Sequence, residues 1–594
     1  MEKIKITKSL AVFASVLLII IIGVASFAYF GTFNVNLNNN VAVNINSSSP
    51  GNATFTSNAT QLNLQVPAAN MSFTVANNTV AAKEDTAFLD VTLTGSQNLL
   101  TTCTYDIVYE YDAGSNVYGQ GTTTKTADAT KEITIEVNGM NGNNHFATER
   151  NFDHANIQSY YDSTNKYYKL VEGATIKSLG STQSVRWKII GRYYNLNVSQ
   201  AQLGGKNFTG KIYAISKGCT SEDGTTVKKG YETILANNGG AASMTTLTST
   251  DFAKVTTASD KGMYKAQDDL GTSYYFRGAV DNNWVKYGKY TKDTFLTIDN
   301  NDNTSLVESC NGLDNCLKIA SKGDDMYWRI IRVNGDNSIR MIYAGTSAPD
   351  NNTKVVMTES ANNSGYIRAT SAGMSKFNQK RDSAEYVGYK YTIGEQHGTS
   401  QSSGIKTYLD NWYANYTNLN STGTKITDQI YCNDRTASSS DVAYSTTDYT
   451  TLTSWNSTGT NYYYGAYGRI VNDNNPMLTC AVDSDRFTVN KINGKGNSAL
   501  TYPIGLITID ELEMAGNNWS ESNTSYYLHT GAYYWAGSPF EFGGGDAYEF
   551  YVNVVGALNR GYVGNIYGVR GVVSLSSESK LLGSGTYNDV YTVN

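Results

Sequence analysis

The side chains best suited to hold a ligand gather near the C-terminus of this sequence. Between residues 526 and 570, Tyr533, Phe540, Phe542, Tyr548, Tyr551 and Tyr562 are interleaved with Asp546, Asn553, Asn559, Arg560 and Asn565. Tyrosine offers a large contact area with few rotatable bonds, and asparagine supplies adaptable hydrogen bonding, the mixture that antibody loops use. Aromatic faces beside amide groups also suit sugars. Val552, Val554 and Val555 read as strand, so the pattern predicts two binding loops, residues 540–548 and 557–562.

Catalytic patterns are missing. There is no Gly-x-Ser-x-Gly elbow, no His-Glu-x-x-His and no Gly-x-x-x-x-Gly-Lys phosphate cradle. Asp299-Asn300-Asn301-Asp302-Asn303 begins like a calcium loop, but Thr304 and Cys310 stand where the turn glycine and the bidentate glutamate belong. Asp510 and Glu511 are adjacent on an expected helix, where neighbours diverge by about 100° and cannot share a proton. The expectation is a binding protein, not an enzyme, with no cofactor and no metal.

Six cysteines, Cys103, Cys219, Cys310, Cys316, Cys432 and Cys480, form no Cys-x-x-Cys pair, and the four histidines lie far from them in sequence. That spacing argues against zinc and for disulfides, although six cysteines allow fifteen pairings. Joining neighbours along the chain keeps each bridge inside one of the domains proposed below; buried free thiols are the alternative.

The elements that must position these residues begin with an address. Lys3, Lys5 and Lys8 precede an uncharged run over residues 10–30, long enough to cross a bilayer core. Small residues around Ser26-Phe27-Ala28 offer a cleavage site, so the run is either a signal peptide or a membrane anchor. The rest of the chain is expected outside the cytoplasm. A net charge of −6 without a basic block argues against nucleic acid, which needs a positive footprint. Charged residues make up only 16% of the 594, while tyrosines number 45 and prolines 6, a composition that suits secreted β-rich proteins.

The chain then alternates with period two, the signature of half-buried strands. Phe33, Val35 and Leu37 lead, followed by Val41, Val43 and Ile45, then Leu62, Leu64 and Val66. Cys103 shares a face with Tyr105, Ile107 and Tyr109, and Val185, Trp187 and Ile189 share another. Residues 133–137 end at Asn138-Gly139, a turn dipeptide. Residues 32–222 are expected to form a β-sandwich of one or two modules. Beyond them, Tyr327 to Val333 and Ile339 to Tyr343 flank Asn334-Gly335 as a central hairpin. Ile405, Leu409 and Trp412 mark a short helix, and Thr508 with Glu511 forms a capping box whose helix Gly516 can end. Residues 223–594 therefore read as an α+β domain. Its long connections include a turn cluster at residues 360–365 and an aliphatic-poor stretch at 436–467.

Several motifs resemble known families. Residues 23–30 look like the leader of bacterial surface and matrix proteins, and residues 194–198 with 204–212 resemble membrane-proximal modules of Gram-positive surface proteins, which implies a spacer. Tyr275-Phe276-Arg277-Gly278, Trp328-Arg329-Ile330-Ile331-Arg332, Ile430-Tyr431-Cys432-Asn433-Asp434-Arg435 and Tyr502-Pro503-Ile504-Gly505 come next. With Tyr534-Trp535-Ala536-Gly537-Ser538-Pro539 and Tyr567-Gly568-Val569-Arg570, they resemble an uncharacterised C-terminal domain of Gram-positive surface proteins. That domain is similar to the C-type-lectin-like fold of formylglycine-generating enzymes. The resemblance covers residues 230–594 and implies a C-type-lectin-like fold. The late cysteine pair of those enzymes is missing, since no cysteine follows Cys480. The expected role is an extracytoplasmic surface protein that binds a glycan or a protein on a cell surface, held in the membrane if the N-terminal helix is uncleaved. Three alternatives stay open: a structural matrix module, a retroelement-diversified binding protein, and a cell-wall-acting enzyme.

Overall fold

The computed structural model describes residues 43–44, 53–65, 81–95, 98–111, 132–152, 155–194, 200, 203–224, 227–312, 316–346, 349, 372–438 and 462–594. Expectations for residues 1–31, for the strand at Phe33 to Leu37, for Val41, Ile45 and Val66, for the turn at 360–365 and for most of 436–467 lie outside them. Among the described residues no helix is long and apolar enough to cross a membrane.

Alternation does build a sandwich. Strands β1 (Val43–Asn44), β2 (Thr54–Ser57), β3 (Thr60–Gln65), β4 (Ala81–Thr94), β5 (Leu99–Tyr111), β6 (Ile133–Asn141), β7 (Asn144–Asn151), β8 (Tyr161–Asp162), β9 (Tyr167–Leu179), β10 (Thr182–Tyr194) and β11 (Asn207–Asp223) follow in order. They form a six-stranded sheet, β1-β2-β4-β10-β6-β7, and a five-stranded sheet, β3-β11-β5-β9-β8. Leu62, Leu64, Cys103, Tyr105, Ile107, Tyr109, Trp187 and Ile189 are all fully buried in one shared core. The two sheets are also joined by a buried polar contact, Trp187 Nε1 donating to Tyr105 Oη at 2.9 Å.

One local expectation is corrected. Asn138-Gly139 is not a turn, because β6 runs through it to Asn141 and the chain reverses at Gly142-Asn143. The turn therefore falls on Gly-Asn four residues after Asn138, and packing gives Gly139 a different role. A Cβ on Gly139 would lie 2.5 Å from the Trp187 ring, so this glycine makes room for the indole. Gly142, at φ 64°, provides the left-handed residue the reversal needs. Gly139→Ala is expected to cost about 1–3 kcal/mol by overpacking. A lower urea midpoint at unchanged slope would show it; an unchanged midpoint would mean that Trp187 has slack.

The cysteines pair as neighbours along the chain, 103–219, 310–316 and 432–480, with no free thiol. Cys103 and Cys219 face each other across β5 and β11, beside a bulge between Ser216 and Gly218. A bridge over a sequence separation of 116 stabilises mainly by restricting the unfolded chain, typically by about 2–5 kcal/mol. Three disulfides fit an oxidising, extracytoplasmic environment.

The C-terminal half is built on β12 (Gly271–Gly278), β13 (Trp284–Lys289), β14 (Asp325–Val333) and β15 (Ile339–Gly345), part of a nine-stranded sheet. Every residue of β14 and β15 is buried, so this hairpin is central, and its reversal uses a left-handed Asn337 at φ 67°. Helix α1 (Gly404–Asn411) is capped by Ser403 Oγ accepting from Lys406 N, and it buries Ile405 and Leu409, with Trp412 following. Helix α2 (Ile509–Met514) carries the expected capping box and stops at Gly516, φ 116°. Strands β16 (Tyr534–Gly543), β17 (Asp546–Val552) and β18 (Leu558–Tyr562) form an antiparallel meander in a separate sheet. Near the C-terminus, β19 (Val572–Leu575) pairs with β15, and β20 (Tyr591–Val593) pairs in parallel with β13.

The two halves share a core. Trp284, Tyr327, Ala344 and Val590 pack with the sandwich cluster. Asn594 Oδ1 accepts from Leu179 N at 3.1 Å, Gln183 Nε2 donates to Val593 O at 2.8 Å, and Val590 N donates to Asn143 O at 3.0 Å.

Candidate binding face

The segment expected to form binding loops is strand. Its glycines explain why: Gly544 and Gly545, at φ 63° and 87°, make a two-residue hairpin turn between Gly543 and Asp546, leaving 540–543 and 546–548 paired. The second expected loop, 557–562, is mostly β18. Its approach is a tight turn in which Asn553 Oδ1 accepts from Val555 N and Ala557 N, and the exposed Val554 and Val555 sit in that turn rather than in a strand. The Asn559 side chain is engaged by its own backbone, its Oδ1 accepting from Arg560 N at 2.8 Å.

Once strands replace loops, alternation divides the expected site residues between two faces. Phe540 and Phe542 are each only 2% exposed and cannot meet a ligand directly, which corrects their expected role. Tyr551, with Tyr533 and Tyr567, packs on one side of the meander, ring centroids 4.5–5.7 Å apart, and Asn565 Nδ2 donates to Tyr567 Oη. Tyr548, Arg560, Tyr562 and Asp546 emerge together on the other side, where Tyr548 pairs with Tyr562 and Phe550 with Arg560.

That second side is a stack. Arg381 lies 4.6 Å over the Tyr562 ring, Tyr562 is 4.5 Å from Tyr548, and Arg560 lies 5.1 Å from Tyr548 and 5.3 Å from Phe540. Each arginine is held from the side by an acid: Arg381 Nε by Asp546 at 2.9 Å, and Arg560 by the buried Glu541. Both remain open to solvent, at 52% and 42% side-chain exposure. Beneath them Phe540 and Phe550 form the floor, 4.8 Å apart, with half-buried Trp519 stacked on Phe540 at 5.1 Å. Tyr467 stacks on Tyr463 at 3.9 Å and meets the edge of Phe540. Burial first, and the adjacent Tyr562 hydroxyl second, push the Tyr548 phenol well up, so it stays neutral and able to donate.

Sequence reasoning missed Arg381, Trp519, Tyr463 and Tyr467. All four come from segments remote from 540–562, and no local pattern marks them as partners.

A second cluster is polar, and its charges are paired with one another. Glu511 ties Arg332 and Arg340 at 2.9 and 2.6 Å, Arg332 also meets Asp268 at 2.6 Å, and Arg469 bridges Asp434 and Asp510 at 2.7 and 2.9 Å. The space among them is about 30 Å³, enough for a water or two. Asp510 and Glu511 thus serve separate arginines, and the cluster fastens α2 to the central sheet. At Asp299, the carboxylate accepts from Asn301 N and Asn303 N in a closed turn. Among the described residues no group of His, Cys, Asp or Glu is arranged to hold a metal ion.

No protein-family model matches this chain, and no curated protein matches it in sequence.

Proposed function

We propose that this is an exported surface protein whose disulfide-braced sandwich supports an α+β, C-type-lectin-like domain that binds a glycan or a cell-surface partner. Binding without turnover is the reading, and the exposed stack Arg381–Tyr562–Tyr548–Arg560 carries it. A pair of rings with a guanidinium at either end and acids fixing both guanidinium groups is preorganised, so little side-chain entropy is lost on binding. Tyrosine and arginine are the residue types that dominate binding energy at such surfaces. The three disulfides support the exported address.

The test is binding of the purified full chain to a glycan array and to intact cell walls, beside Tyr548→Ala and Tyr562→Ala. Both side chains are half-buried at the surface, so the variants should fold. Saturable binding by the parent, weakened about 10-fold or more in each variant, is the expected result. Equal binding by parent and variants would remove this face from the reading.

A further inference from the structure

The stack on the meander uses up its own ring faces. Tyr562 and Tyr548 lie against each other at 4.5 Å, with Arg381 at 4.6 Å capping the Tyr562 end and Arg560 at 5.1 Å capping the Tyr548 end. Guanidinium groups hold those positions through attraction to the ring electrons. A neutral sugar that binds by laying its ring on an aromatic face finds these two rings already covered. What the four side chains turn to solvent is ring edges, phenol hydroxyls and guanidinium N–H groups.

Charge is layered across the same face. Glu541 is 2% exposed against 42% for the Arg560 it holds, and Asp546 is 24% exposed against 52% for Arg381. Each acid therefore lies deeper than the arginine it fixes, and the positive groups stand outermost. A guanidinium carries five N–H groups, and one carboxylate engages two of them at most in a fork. No second acid holds either arginine among the described residues, so both keep donors for a ligand. The outermost layer is thus rich in donors and suits a ligand rich in anionic acceptors.

We propose that the ligand of this face is an acidic glycan. Its carboxylate or sulfate groups take the outer N–H groups of Arg381 and Arg560, and its hydroxyls exchange hydrogen bonds with Tyr548, Tyr562 and Asp546. Two arginines fixed at the ends of one stack call for two anions at a set separation. Sugar rings hold their acids rigidly, so meeting both costs less conformational entropy than it would cost a flexible acidic peptide. This inference rests on the reading of the stack as a glycan-binding face and adds the charge of the glycan.

Calorimetric titration of the purified full chain at low salt tests it with two matched pairs of probes, polygalacturonate against its methyl ester and dextran sulfate against dextran. Polygalacturonate carries an acid on every ring, so some pair of its carboxylates matches the separation of the arginines. At least one acidic probe is expected to bind with Kd of about 1 mM or tighter, about 10-fold or more better than its neutral counterpart. Its affinity should fall as salt rises. Arg381→Gln, at an exposed position, should weaken it about 5-fold or more. Lys217→Gln removes the same charge from an exposed position on the sandwich and should leave it unchanged. The proposal is overturned if the members of each pair bind alike, if Arg381→Gln binds as Lys217→Gln does, or if polyglutamate binds as tightly as the acidic glycans. Binding of a neutral glycan that is lost in Tyr562→Ala would overturn it while keeping the face a glycan site. A folded parent silent toward all four glycans, the glycan array and cell walls would overturn both readings.

Discussion

Removing residues 590–594 is expected to abolish most of the stability of the whole chain, the N-terminal sandwich included. Val590 and Tyr591 are fully buried and Val593 is 6% exposed. Burial of each such side chain contributes about 1.5–3 kcal/mol, so losing three removes an amount comparable to the typical 5–15 kcal/mol of a folded protein. The deletion also strips β20 from its pairing with β13 and leaves Leu179 N without its acceptor. Because Val590 packs in the sandwich core while Tyr591 and Val593 pack in the C-terminal core, the damage reaches both. Urea unfolding followed by tryptophan fluorescence would report it. A graded control is removal of Asn594 alone, which costs only about 1–3 kcal/mol through its lost hydrogen bonds. A deletion that unfolds at the parent's midpoint would show that the two halves are not held by this strand.

Glu513→Gln is expected to stabilise the protein increasingly as pH rises. The Glu513 side chain is fully buried and neither carboxyl oxygen has a hydrogen-bond partner among the described residues. Burial, and after it the nearby Asp510, push its pKa up to about 9 from 4.5, against the weaker pull of Arg277 and Arg469. Below pH 4.5 the group is protonated in both folded and unfolded chains and contributes no pH dependence. Between 4.5 and 9 the unfolded chain releases the proton and the folded one keeps it, so stability falls as pH rises, by up to about 1.4 kcal/mol per pH unit. Glutamine does not titrate. The stability difference between variant and parent should therefore grow by about 2–4 kcal/mol from pH 5 to pH 8. Glutamine brings its own buried amide, which shifts the whole curve equally and leaves that slope intact. Parallel pH curves for the two proteins would mean that Glu513 is ionised in the folded chain and has a partner.

Local patterns made much of the architecture legible. Period-two alternation at Cys103 to Tyr109 and at Val185 to Ile189 is backbone geometry read directly, and both runs face the core. The Thr508 to Glu511 capping box needs only four consecutive residues, and it formed. Bridges between neighbouring cysteines were likewise a matter of spacing, since each closes within one half of the chain.

Where two local signals compete, or where a face must be chosen, the sequence is silent. Asn138-Gly139 has the composition of a turn, yet the chain reverses at Gly142-Asn143, and the Trp187 ring lying against Gly139 shows what that glycine does instead. Residues 540–548 and 557–562 read as adaptable loops, yet a two-residue glycine turn let the flanking aromatics pair as strands. Pairing then buried Phe540 and Phe542 and left Tyr548, Arg560 and Tyr562 outside. The sequence by itself determined a β-rich, disulfide-bonded chain and marked the aromatic segment near its C-terminus. Tertiary structure alone decided which side chains of that segment meet solvent, and it brought Arg381 and Trp519 to them. Composition and periodicity are properties of neighbours along the chain, whereas a binding face is assembled from residues whose separation in sequence carries no information about their distance in space.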